Sequence, residues 1–322
     1  MRCLFLFSLA ALSSFAQTGS VRFPALGFAP DPRSSQIRPI HGIPGAALLG
    51  DPLDTASTFT TSAISPKQDL ALAVSAADSH LYLVPLLSGE PARAIANALS
   101  SPSQIVFSPA GRAAIIRGDR IQILNELAGS PRVTEVALDP FDTPPALAVS
   151  DDGQAMLASS GREENPVWLA GPGGSLTQLP LPGSVRAIAF RRDSRDAVAV
   201  TRSGDVYLIR NAGAEADIRQ VYIGDEQTSD PVAVQVSPDG SSAFTANSHG
   251  LVAAINLQSG SAASVSCQCA PVTLEPMNAP ALYRLTEISD LPVMLFDAST
   301  LTPRIWFVPA GASSTSLQRS AQ

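Results

Sequence analysis

A turn between two apolar runs recurs along this chain at a nearly constant interval. Each copy consists of an apolar run, a turn rich in Ser, Pro, Asp and Gly, and a second apolar run; the five copies lie at 63–66, 106–109, 148–153, 189–193 and 235–240. Equivalent turn positions are 41 to 46 residues apart. A period of this length, with about four strands in each repeat, is typical of a β-propeller.

The strand pattern inside each repeat supports the same architecture. Alternating apolar residues, which give a strand one packed face, follow at 81–84, 121–124, 167–169, 206–209, 252–255 and 305–308. With strands A to D counted outward from the axis, the recurring turn joins A to B, and five full repeats occupy 59–100, 101–142, 143–184, 185–230 and 231–276.

Partial repeats are predicted at both ends. The first has B, C and D strands at 22–29, 36–40 and 46–49, and the last has A, B and C strands at 281–287, 292–297 and 304–308. The predicted fold is therefore an all-β propeller with four-stranded antiparallel blades. We favour seven blades, with each partial repeat forming a blade. The alternative is six, with strands from the two termini sharing one blade, an arrangement that closes a ring without exposed edges.

These repeats resemble those of secreted bacterial propellers of the YVTN or WD-repeat-like type. The resemblance rests on Ser-Pro-Asp-Gly at 237–240 between two apolar strands and on the hairpin Gly-Asp-Val-Tyr-Leu-Ile at 204–209, and it covers about residues 20–310. It implies the architecture. Proteins of this kind include binding scaffolds, lactone hydrolases and parts of larger assemblies, so it leaves the activity open.

The N-terminus has the pattern of a cleaved signal peptide. Arg2 is followed by an apolar run at 3–12 and by small residues up to Ala16, so residues 1–16 are predicted to be removed after Ala16 and the protein to be secreted or periplasmic. Residues 17–310 are predicted to form one propeller domain, and the Ser-rich segment 311–322 a flexible C-terminal tail.

Charge and hydropathy narrow the range of partners. The formal net charge is −7 and Lys67 is the only lysine, so we expect no nucleic-acid partner and no anionic membrane surface. No run after the signal reaches the ~20 apolar residues that a transmembrane helix needs. We expect a monomer that binds a protein or a small molecule on one propeller face.

Catalytic and metal-binding motifs are absent from the sequence. His41, His80 and His249 fall in different repeats without metal-ligand spacing, and there is no Gly-x-Ser-x-Gly nucleophile elbow. His80 and His249 occupy equivalent B–C turns, where they are either surface residues or part of a binding face. We therefore predict no catalytic residue, and the sequence implies no cofactor. It does not decide whether the protein binds a metal ion.

The pair Cys267 and Cys269 is separated by one residue. In an oxidising compartment such a pair closes a small ring, pairs with another chain or stays reduced. The spacing differs from the two intervening residues of thioredoxin-like sites, so we favour a structural disulfide at the outer edge of the sixth blade over a redox site.

The connections from strand D to the next strand A are acidic in alternate repeats, at Asp51, Asp54, Asp139, Asp142, Asp225, Glu226 and Asp230. These loops should share a face with the B–C turns, where their carboxylates would attract a cation or a basic partner; the alternative is that they are ordinary solvated turn residues. The sequence thus favours a non-catalytic binding scaffold. The alternative is a lactonase-type propeller hydrolase with a divalent metal at the channel mouth.

Overall fold

The computed structural model describes residues 25–55, 57–136, 146–159, 166–171, 175–213 and 215–311. These residues form 27 β-strands and no helix, and the strands make seven antiparallel sheets arranged as a propeller. The predicted seven-bladed fold is therefore confirmed. The predicted signal peptide, the tail beyond Gly311, and both Asp139 and Asp142 lie outside the described residues.

Each blade is a meander of strands that are consecutive in the chain. Blades 1 to 3 contain β1 (Ala25–Asp31), β2 (Gln36–Ile43), β3 (Ala46–Leu49); β4 (Phe59–Ile64), β5 (Leu70–Ser75), β6 (Leu81–Pro85), β7 (Arg93–Ala94); β8 (Gln104–Phe107), β9 (Ala114–Arg117), β10 (Ile121–Asn125) and β11 (Arg132–Val136). Blades 4 and 5 contain β12 (Leu147–Val149), β13 (Met156–Ser159), β14 (Val167–Ala170), β15 (Leu176–Leu179); β16 (Val185–Phe190), β17 (Ala197–Thr201), β18 (Val206–Arg210) and β19 (Asp217–Tyr222). Blades 6 and 7 contain β20 (Pro231–Val236), β21 (Ser242–Asn247), β22 (Leu251–Asn256), β23 (Ala262–Ser266); β24 (Glu275–Pro276), β25 (Leu282–Arg284), β26 (Val293–Asp297) and β27 (Arg304–Val308).

In the last blade, the predicted strand labels are wrong by one position in the order A to D. The segments predicted as A, B and C are B, C and D, because the inner strand of blade 7 is β24, which has only two residues and includes Pro276. So short a strand shows no alternation, which hid it from the sequence pattern. Blade 7 is therefore complete, and in the described part of the chain the termini do not share a blade.

Blade 1 is the incomplete blade, with three strands in the described residues and no strand inside β1. The first strand of each of the other six blades borders the ring axis, as the residues lining the axial cavity show. No described strand therefore occupies the inner-strand position of blade 1.

The core consists of seven apolar clusters, each between two adjacent blades. Consecutive residues on a strand serve opposite neighbours: on β9, Ile116 packs against blade 2, and Ile115 packs against blade 4. Both are fully buried. Since a buried Ile or Leu contributes about 1.5–3 kcal/mol, every interface adds to stability, and the cluster between blades 7 and 1 closes the ring.

The recurring A–B turns all lie on one face of the ring, which we call the turn face (65–69, 108–113, 150–155, 191–196, 237–242 and 277–281). The turns bind each other through Asp151, which is 7 % exposed. Its carboxylate accepts the backbone N–H of Ala110 in blade 3 (2.6 Å) and of Asp193 in blade 5 (2.8 Å). Ion pairs Arg112–Asp193 and Arg195–Asp152 lie beside this contact. Hydrogen bonds between turns hold neighbouring blades in place at this face.

Candidate functional site

The inner strands of blades 2 to 7 surround a cavity on the ring axis. Its volume is about 260 Å³, and its lining combines polar groups with apolar residues that include Ile64, Val106, Leu147 and Ile188. It lies toward the face opposite the turn face, which we call the loop face and which carries the B–C turns and the D–A loops. Cavities on a propeller axis between strand ends are a usual place for a ligand.

A second cavity of about 310 Å³ opens at the turn face and adjoins the first. The two share Pro66, Gln235 and Pro276 as lining residues. The charged residues in the described lining of this second cavity are Lys67 and Arg192. Lys67 is exposed, so the only lysine of the chain stands at the turn-face mouth of the axis.

Two charged residues line the loop-face cavity, Arg186 and Glu275. Arg186 is the residue at which the pairing of β16 with β17 shifts, between Val185 and Ala187, and such a bulge turns a side chain away from the regular pleat. Arg186 is partly exposed, and its side chain makes no hydrogen bond or ion pair with any other described residue. Arg186 was not among the predicted site residues, although a charge within an otherwise apolar inner strand was a signal that the sequence contained.

Glu275, which is partly exposed, pairs with a buried arginine at the loop face. Arg284, which is 3 % exposed, contacts the Glu275 carboxylate through Nη2 and donates from Nη1 to the carbonyl of Thr286 (2.7 Å). The pair borders a cavity of about 230 Å³ beside β4, at the place where blade 1 has no inner strand. Asp31 also borders this cavity, and its carboxylate accepts the N–H of Arg33. The inner strand of blade 7 therefore carries a carboxylate.

The inner edge of β1 is closed by a side chain. The Oε1 of Gln68, in the first A–B turn, accepts the N–H of Phe28 (2.6 Å), and its Nε2 donates to the carbonyl of Pro276 (2.6 Å). One amide thus joins blades 2, 1 and 7. Pro30 lies two residues further along the same edge, and it has no N–H that would need a partner.

Asp225, Glu226 and Asp230 lie in a single loop that packs on the B–C turns of blades 5 and 6. Asp230 accepts a hydrogen bond from Arg202 Nε (3.1 Å), and its backbone pairs with the turn at Arg202 and with Ser248. Hydrogen bonds from the Thr228 backbone and hydroxyl lower the pKa of Asp225. These contacts place the loop on the predicted face, but they engage Asp225 and Asp230 within the loop and its neighbouring turn.

The other predicted residues lie in separate loops. Asp51 and Asp54 are exposed in the connection that follows β3. This connection runs beside β2, because Leu53 N–H donates to the carbonyl of Ile37. His80 and His249 are exposed in the B–C turns of blades 2 and 6. Within the described ranges, no three His, Cys, Asp or Glu side chains are grouped so that they could hold a metal ion.

Cys267 and Cys269 form a disulfide just after β23, with Cα atoms 5.1 Å apart. Cys267 is buried in the cluster between blades 6 and 7, and its N–H donates to the carbonyl of Gly250 (2.8 Å). The disulfide therefore closes a small ring within the segment that follows β23, and the Cys267 N–H bond joins this segment to the hairpin that carries His249.

Comparison with known proteins adds the fold and nothing more specific. The chain matches no protein-family model and no curated protein. A solved structure with a similar fold is that of a functionally unknown protein from Desulfotomaculum acetoxidans DSM 771, with a TM-score of 0.57, 14 % sequence identity, and coverage of 88 % of this chain and 100 % of that chain. In the described part of the chain, no helix has the length and apolar character to cross a bilayer.

Proposed function

We propose that this protein is a non-catalytic binding propeller of the secreted YVTN or WD-repeat-like type, which holds a small ligand in the axial cavity below its loop face. The observation that carries the proposal is the cavity of about 260 Å³, open to solvent and walled by the inner strands of six blades. Its size is close to the lower limit of ~300 Å³ for common ligand pockets.

The rigidity of the ring supports a binding role. Asp151 joins three turns, Gln68 joins three blades, and seven apolar clusters fix the spacing between blades. A preformed cavity loses little conformational entropy when it binds a ligand, so affinity does not require a large contact area.

Thermal denaturation of the chain from Gln17 onward, against a library of small metabolites, tests the proposal. A ligand that binds only the folded state raises Tm with concentration. The variant Ala63→Phe places a ring in the cavity and should abolish the shift, whereas Ala262→Phe, on the exposed outer strand β23, should keep it. If no compound raises Tm, or if Ala63→Phe keeps the shifts, the proposal is wrong.

The same preparation distinguishes binding from hydrolysis. Aliphatic lactones are incubated with the protein in the presence of Ca²⁺ or Zn²⁺, and ring opening is followed by proton release. We expect no turnover above the metal-only control. Turnover that EDTA removes would overturn the binding proposal in favour of a metal-dependent hydrolase.

Export is tested separately. The full-length chain is produced in a bacterial host, and the N-terminus of the protein recovered from the periplasm or medium is sequenced. We expect it to begin at Gln17, since residues 1–16 have the signal pattern. Recovery of an uncleaved chain from the cytoplasm alone would contradict this.

A further inference from the structure

The ring axis is basic in a protein that is acidic overall. The formal net charge is −7, yet the described lining of the two axial cavities carries Arg186, Lys67 and Arg192 against one carboxylate, Glu275. Glu275 is already neutralised by the buried Arg284. A cavity with walls of low dielectric concentrates the potential of such charges, so the axis attracts anions although the surface as a whole repels them.

Arg186 is the cation best placed to bind a ligand in the loop-face cavity. The inner strands of blades 2, 5 and 6 each have a pairing shift near their first residues, and the residues at these shifts are Thr60, Arg186 and Val232. Only Arg186 is charged. Its side chain has no polar partner among the described residues, which leaves its guanidinium free to bind an anion beside the apolar residues of the lining.

The surroundings of Arg186 define the chemical class of the anion. A guanidinium binds a carboxylate through two parallel hydrogen bonds, and such bonds are stronger where water is excluded. Phosphate sites usually add further donors, such as the backbone N–H groups of a nest or a helix N-terminus, and the described cavity lining has no helix. Apolar residues such as Leu147 and Ile188 suit the hydrocarbon part of a small acid.

We propose that the ligand of the loop-face cavity is a small organic monocarboxylate, with its carboxylate on Arg186 and its apolar part between the inner strands. This rests on the proposed binding function. The cavity volume of about 260 Å³ limits the ligand to a short aliphatic or single-ring acid.

Isothermal titration calorimetry at low ionic strength tests the assignment. The probes are butyrate, hexanoate and benzoate, each matched with its neutral amide, together with inorganic phosphate. We expect at least one acid to bind about tenfold more tightly than its amide and than phosphate, because the amide lacks the charge that pairs with the guanidinium. Arg186→Gln should weaken the acid about tenfold or more, and Arg186→Lys, which keeps the charge without the fork, should be intermediate.

Matched variants locate the binding site. Arg304→Gln, an exposed arginine on the outermost strand of blade 7, should bind the acid as tightly as the unaltered chain. Lys67→Gln and Arg192→Gln, at the turn-face mouth, should weaken it by less than threefold. The Tm of each variant is measured first, and if Arg186→Gln does not fold, Arg186→Lys carries the comparison.

The outcomes separate the two proposals. If none of the acids binds, if acids and amides bind alike, if phosphate binds as tightly as the acid, or if the loss follows Lys67 or Arg192 instead, the carboxylate assignment is overturned. The binding function itself survives any of these results as long as some compound still raises Tm in a manner that Ala63→Phe abolishes.

Discussion

At the scale of single residues, the side chain of Gln68 joins three blades of the ring. In the other six blades, the strand next to the innermost one pairs with an inner strand; in blade 1 the corresponding N–H, that of Phe28, pairs with the Gln68 side chain. Gln68 is 3 % exposed and reaches Pro276 of blade 7 at its other end. One side-chain amide thus satisfies both backbone groups across the seam of the ring.

We expect Gln68→Leu to destabilise the fold by about 1–3 kcal/mol, because it leaves a buried N–H and a partly buried carbonyl without partners while keeping a similar volume. Urea denaturation measures the change. Gln258→Leu, at an exposed position, should change stability by less than about 0.5 kcal/mol. Equal effects of the two substitutions would mean that the Gln68 hydrogen bonds contribute nothing to ring closure.

Single residues also differ in how far the sequence reveals them. Arg186 stands out as a charge inside an apolar strand, so its position on the axis was predictable in principle. Nothing in the neighbourhood of Gln68 marks it, since its partners are 40 and 208 residues away in the chain. The predicted carboxylates Asp225 and Asp230 were located on the right face, but their hydrogen-bond partners depend on how the loop folds onto the next blade.

At the scale of elements, the A–B turns combine local and long-range hydrogen bonds. In blade 6 the hydroxyl of Ser237 donates to Asp239 Oδ1 (2.5 Å) and also accepts the N–H of Ser242 (2.9 Å), while Ser241 N–H donates to Asp239. This local pattern explains why Ser, Asp and Gly recur at these positions. The turn is recognisable in the sequence because these bonds form within a few residues of one another.

These hydrogen bonds make the stability of the turn depend on pH. The hydrogen bond from Ser237, together with those from Ser241, holds the pKa of Asp239 below its ordinary value of 3.8. A depressed folded-state pKa stabilises the fold above the unfolded value, and this contribution is lost as the pH falls below 3.8 and through the folded-state pKa. The free energy of unfolding should therefore fall below about pH 4.

The variant Asp239→Asn tests this dependence by urea denaturation at pH 7 and pH 3. We expect it to be less stable than the unaltered chain at pH 7 and to lose less stability on acidification. Asp119→Asn, in the exposed B–C turn of blade 3, serves as the control and should show the same acid dependence as the unaltered chain. An unchanged slope in Asp239→Asn would contradict the assignment.

At the scale of the whole molecule, the seven interfaces form one closed series. Every blade packs on both neighbours, including blade 7 on blade 1, where Leu295 and Val293 meet Leu26 and Ile40. Each blade therefore has a packed interface on both sides. Loss of packing between any two blades removes support from the others, so the ring should unfold as a unit rather than blade by blade.

We expect Leu295→Ala, between blades 7 and 1, and Ile115→Ala, between blades 3 and 4, each to lower stability by about 2–5 kcal/mol and to shift the same single transition. Differential scanning calorimetry measures both. Leu301→Ala, at a fully exposed position, should leave Tm unchanged. Two separate transitions in either core variant would show that blades unfold independently.

The sequence by itself determined the fold class, the length of the repeat and the face on which the loops lie, because turn chemistry and strand alternation are local and recur along the chain. Tertiary structure decided the rest: the inner strand of blade 7, the closure of blade 1 by Gln68, and the basic axis with Arg186. Each of these depends on groups that are distant in the chain and come together only when the ring closes, so no local pattern encodes them.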